Sequence, residues 1–136
     1  MRRIVIRFNA PVLLTFALLS LIALILGNWT DGATTYRYFS VYRSSLGDPL
    51  TYLRMFTHVL GHADYSHYMN NMLLLLLVGP VVEEKYGHRT IFFSILLTAL
   101  VTGLVQFVFF PNTALLGASG IVFMMIVLSS FTEMKK

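Results

Sequence analysis

Between Thr90 and Thr132 the chain carries no Asp, Glu, Lys or Arg, a run of 43 residues. An ordinary soluble chain has about one charged residue in four, so a window of this length would hold roughly ten. The run therefore points to a lipid surface and not to water. A hydrocarbon core of about 30 Å is crossed by about 20 residues rising 1.5 Å each, so the run is too long for one helix. Pro111-Asn112 divides it, because both residues punctuate helices. The division predicts one span over Thr90–Phe110 and another from about Leu115 to Phe131.

The same reasoning finds two earlier spans. No charged residue lies between Arg7 and Asp31, and Pro11–Gly27 reads as a membrane-crossing helix. A cleaved leader would need a small-x-small site, which Gly27-Asn28-Trp29 lacks. A further apolar segment runs from about Tyr65 to Val82 and is closed by Glu83, Glu84 and Lys85. Residues 30–55 mix Asp31, Arg37, Arg43, Asp48 and Arg54 with aromatic and aliphatic residues. They read as a polar loop with amphipathic pieces able to lie on a membrane surface. The expected fold class is thus all-α, a polytopic transmembrane bundle with four spans in one domain over residues 1–136. With 57% hydrophobic residues, 12% charged and a mean hydropathy of +0.73, the whole chain agrees.

Charge placement sets an expected orientation. Arg2, Arg3, Arg7, Lys85, Arg89, Lys135 and Lys136 fall on one side, and Arg37, Arg43 and Arg54 on the other. Seven against three predicts a cytoplasmic N-terminus in a plasma (inner) membrane. The basic residues form no single patch, so the net charge of +4 does not indicate a nucleic-acid partner. Cysteine is absent, which removes disulfides, thiolate metal sites and a cysteine nucleophile.

Polar residues at membrane depth carry the functional information. His67 and Asn71 are four apart and share one face of the second span. Two donors fixed in one cavity can hold an oxyanion; equally, such residues can glue helices through backbone carbonyls. Gly117-Ala118-Ser119-Gly120 opens the last span. Its serine hydroxyl is a nucleophile if a base takes its proton, and its small residues also suit close packing. The assumed topology puts His67, Asn71 and Ser119 about 5–15 Å below the same outer surface. His88 lies roughly a bilayer thickness away and cannot serve Ser119. His58 and His62 are two imidazoles without a carboxylate cluster, too few for a zinc site, so structural roles and no metal are expected. Ala99 and Gly103 form a small-residue face for close packing, and Gln106 needs a polar partner.

Together these residues resemble the rhomboid family of intramembrane serine proteases. The resemblance rests on Leu53-Arg54-Met55-Phe56-Thr57-His58, then His62, His67 and Asn71, then Gly79 through Glu83, and on Gly117-Ala118-Ser119-Gly120. The ordered spacing H-x3-H-x4-H-x3-N ahead of GxSG is far more specific than either piece alone. The resemblance implies a six-helix core that cuts transmembrane protein substrates near the outer membrane face, without a cofactor. It assigns Ser119 as nucleophile, and His67, Asn71 and the Ser119 N–H as oxyanion hole. It gives Arg54, His58, His62, Glu83, Gly117 and Gly120 structural or near-site positions.

Three departures stand out. Leu53 replaces the usual tryptophan, Phe123 replaces a common tyrosine four residues after the serine, and no histidine follows His88. The family's general base is a histidine on the sixth helix, so this chain has no residue to match it. The expectation is a portion truncated after the fourth span, inactive alone, with its missing helices on a longer protein or a second chain. A non-catalytic rhomboid-like protein that binds transmembrane helices is the alternative, and an unrelated transport or assembly subunit is a third.

Overall fold

The computed structural model describes residues 9–134. Arg2, Arg3, Arg7, Lys135 and Lys136, which weigh in the orientation argument, lie outside the described residues. The described residues form an all-helical bundle in the order α1 (Pro11–Trp29), α2 (Ala33–Tyr38), α3 (Pro49–Thr57), a 3-10 turn (His58–Leu60), α4 (Tyr65–Tyr86), α5 (His88–Phe109) and α6 (Ser119–Met134). Two of these helices, α1 and α5, are long and apolar enough to cross a membrane. The apolar part of α6 is shorter, ending at Phe131.

The core forms where α4 packs between α6 and α1. Tyr68, Asn71, Met72, Leu75, Gly79, Val82 and Glu83 are its buried positions, spaced three and four apart, so one stripe of α4 faces inward. Leu13, Phe16, Ala17 and Leu24 of α1 and Ile121, Val122 and Met125 of α6 meet that stripe. The outward positions Met69, Leu73 and Leu77 are apolar and exposed, as a lipid-facing surface requires.

The first turn of α1 shows how the fold satisfies a helix end inside an apolar setting. Pro11 has no N–H to satisfy, and Leu14 already donates to the Ala10 carbonyl at 2.9 Å. The two remaining donors, Val12 N–H and Leu13 N–H, bond to the two carboxylate oxygens of Glu83 at 3.1 and 2.9 Å. The Glu83 side chain, fully buried at the far end of α4, thus caps a helix 70 residues away. His88 Nδ1 lies 2.7 Å from the same carboxylate.

The stretch read as an amphipathic loop contains α2 and α3. Asp48 caps α3 by accepting from the Leu50 N–H at 3.0 Å. Arg54 is buried, donates from Nε to the Arg37 carbonyl at 2.7 Å and lies over the Tyr42 ring at 4.6 Å. Arg43 reaches the last carbonyls of α5, Phe107 at 3.1 Å and Val108 at 2.6 Å, where a cation complements a helix C-terminus. The last helix starts at Ser119, four residues later than the Leu115 expected from hydropathy. Leu115 instead exchanges both backbone hydrogen bonds with Val41, each 2.9 Å, which ties the α5–α6 connection to the segment after α2.

Candidate active site

Two helix starts and the 3-10 turn converge on one point. Asp64 caps α4 through its side chain, which accepts from the His67 N–H at 2.8 Å. This fixes His67 in the first turn of α4 and Asn71 one turn further on. On α6, Val122 N–H donates to the Ala118 carbonyl at 2.9 Å, the first bond of that helix. The N–H groups of Ser119, Gly120 and Ile121 therefore open the helix with no intrahelical acceptor. The segment ahead is sewn to the histidine turn: Gly117 N–H donates to the His58 carbonyl at 2.9 Å, and Ala118 N–H to His62 Nε2 at 3.3 Å.

Gly117 is required here on two counts. Its φ of +119° lies in a region that side chains rarely adopt. A Cβ there would also sit 3.1 Å from Cε1 of His67. The His67 ring thus lies against the turn that presents Ser119. Ser119 itself is exposed, and among the described residues nothing bonds its hydroxyl. Gly120 faces the Thr98 and Thr102 methyl groups at ordinary contact distance, so α6 starts against α5. Phe123, one turn after Ser119, is 69% exposed.

His62 is the hub of the cluster. Its Nε2 accepts from the Asn71 amide at 3.1 Å and from Ala118, so the ring proton sits on Nδ1. Its ring meets His67 edge-on at 5.3 Å and Tyr68 at 5.5 Å. Burial pushes its pKa down to about 4, and the neighbouring His67 adds to that shift. The ring is therefore neutral near pH 7 and serves as an acceptor. His58 is also buried, and burial lowers its pKa. Its Nε2 contacts the Ala99 carbonyl on α5 at 2.8 Å. The two histidines thus tie the 3-10 turn to α5, to α4 and to the start of α6. The small face of α5 at Ala99 and Gly103 is packed by α3 and the 3-10 turn, with the Met55 carbonyl 3.0 Å from a Cβ built on Gly103. Gln106 finds its partner in Thr113, at 3.0 Å from the carbonyl and 2.8 Å from the hydroxyl.

Of the imidazoles, His67 alone has no side-chain hydrogen bond among the described residues. His88 is paired with Glu83, sixteen residues and about 24 Å along α4 from His67. His62 also borders an open cavity of about 460 Å³ with a mixed lining that includes Leu24, Asn28, Asp31, Thr35 and Leu116. Two supporting residues escaped the sequence reading. Tyr68 backs the His62 ring and donates to the Ala17 carbonyl at 2.9 Å; a tyrosine in a lipid-spanning segment needs such a partner, which was its signal. Ala118 carries no signal at all, since only its backbone N–H acts.

A family model for the Rhomboid domain matches residues 49–136. The chain belongs to the rhomboid family. The match runs from α3 through α6 and includes His58, His62, His67, Asn71 and Ser119. The rhomboid-like protein 11, chloroplastic, of Arabidopsis thaliana is 34% identical over 74 residues, which cover 54% of this chain and 26% of that protein. The chain thus matches about a quarter of the length of this curated relative. Rhomboid membership and the apolar helices together make this an integral membrane protein.

Proposed function

We propose that this rhomboid chain carries the nucleophile side of an intramembrane serine endopeptidase site, with Ser119 attacking a peptide carbonyl of a transmembrane protein substrate near the outer membrane face. The observation that carries the reading is an exposed serine, its hydroxyl bonded to no described residue, at the start of α6 and two residues after the Gly117 turn against which the His67 ring lies. The Ser119 N–H, unpaired at the helix start, points to an oxyanion hole completed by His67. Asn71 belongs to the same group, and its bond to His62 holds its amide in place.

Serine needs a base to become a nucleophile. His62 and His58 are engaged elsewhere, and His88 lies at the other end of the bundle. His67 is the one unengaged imidazole, and using it as base would remove it from the oxyanion hole. We therefore expect residues 1–136 by themselves to be inactive, with the base supplied by further residues of a longer protein or by a second polypeptide. A second reading is a non-catalytic rhomboid-like protein that binds transmembrane helices, favoured by the engagement of His58, His62 and His88 in other bonds.

Labelling with a fluorophosphonate probe in detergent tests the reading. No labelling is expected above that of Ser119→Ala. Labelling that depends on Ser119 would overturn the expectation that residues 1–136 lack a working base.

A further inference from the structure

We propose that the groove between α1 and α5, beneath α3, is a binding site for one acyl chain of an anionic phospholipid, whose headgroup is held by Arg89. The groove has a volume of about 430 Å³, within the range of sites for small ligands. Thr15 and Leu19 line it from α1, Phe92 and Leu96 from α5, and Phe56 and Leu60 from α3 and the 3-10 turn. Its walls belong to the two helices that are long and apolar enough to cross a membrane, so it opens into hydrocarbon. An unfilled gap there would forfeit dispersion contacts along both helices, and lipid is the surrounding material.

Its dimensions select the occupant. From Pro11 to Leu19 its lining runs eight rises along α1, about 12 Å, with residues of α3 and the 3-10 turn also bordering it. A transmembrane helix, about 10–12 Å across and needing the full bilayer depth, does not fit so short a groove. A flexible hydrocarbon chain does. The Thr57 hydroxyl is already bonded to the Tyr38 carbonyl at 2.5 Å, so it makes no claim on a polar ligand. At the open end Arg89 stands three residues before Phe92 on α5, hence on the same face one turn nearer the membrane surface. Arg89 is exposed and has no acidic partner among the described residues. A guanidinium so placed matches a phosphodiester.

The test uses the full chain reconstituted with equal amounts of phosphatidylglycerol and phosphatidylcholine of matched chain length, released into native mass spectrometry. One phospholipid per chain is expected to survive, with phosphatidylglycerol favoured about five-fold by the single arginine. Thr15→Phe fills the groove and should cut bound lipid at least five-fold. Leu18→Phe adds similar bulk on the outward surface of α1, where Leu18 is 58% exposed, and should leave it unchanged. Arg89→Gln should keep the lipid and lose the headgroup preference. Equal retention by Thr15→Phe and wild type, or equal loss in Leu18→Phe, would reduce the bound lipid to an unspecific shell and overturn the site. An unchanged preference in Arg89→Gln would overturn the headgroup contact. Leu19→Trp repeats the groove-filling arm if Thr15→Phe does not fold.

Discussion

Removing the Glu83 carboxylate should be among the most damaging changes available to this chain. Glu83 is fully buried and its two oxygens accept from Val12 N–H and Leu13 N–H, while Pro11 has no donor and Leu14 is already bonded to Ala10. Every donor of the first turn of α1 is thus accounted for, two of them by one side chain. A hydrogen bond to a charged group contributes about 1.5–3 kcal/mol, and an orphaned buried donor costs about 1–3 kcal/mol. Glu83→Ala removes the acceptor of two backbone donors, that of Leu13 in a buried bond, so a loss of about 3–5 kcal/mol follows. Glu83→Gln keeps one acceptor oxygen and should lose roughly half as much. The assay is reversible denaturation of the full chain in mixed micelles, followed by helical circular dichroism. Near-wild-type stability of Glu83→Ala, within about 0.5 kcal/mol, would refute the capping argument, because surface substitutions stay within that margin.

His88→Ala should cost no more than about 1 kcal/mol in the same assay, since the side chain is half exposed and Glu83 keeps its two backbone donors. Stability should depend on pH through His62, whose folded pKa is lowered to about 4 from 6.5. It should be full above about pH 6.5 and fall by roughly 3 kcal/mol as pH drops toward 4, because the unfolded chain takes up the proton first. In His62→Gln that fall should shrink, and an unchanged profile would point to another group. Gly61→Ala should destabilise by more than about 3 kcal/mol, read as loss of folded protein, because its Cβ would collide with the Phe39 carbonyl oxygen, which is backbone and cannot move aside.

Hydropathy and charge alone determined that this is a helical membrane protein, because lipid leaves the backbone no other way to satisfy its polar groups. The four apolar segments coincide with α1, α4, α5 and α6 to within about four residues, whereas α2 and α3 lie in the stretch read as a loop, and the ordered His, Asn and Ser motifs were legible as a rhomboid pattern. The start of α6 was misplaced by hydropathy, since Leu115 is as apolar as any core residue and pairs with Val41 only once the chain has folded back. Which polar residue bonds which was equally out of reach. His67 and Asn71 look alike on a helical wheel, yet Asn71 bonds His62 through its amide while the His67 side chain stays unbonded beside Gly117. The partner that caps α1 lies 70 residues away at Glu83. Sequence periodicity fixes what a residue's own helix does with it, a local matter of 1.5 Å rises and 3.6-residue turns. The placement of an unpaired donor against a distant carboxylate, or of a histidine ring against the glycine turn that opens another helix, depends on how the helices pack, and only the tertiary structure decided it.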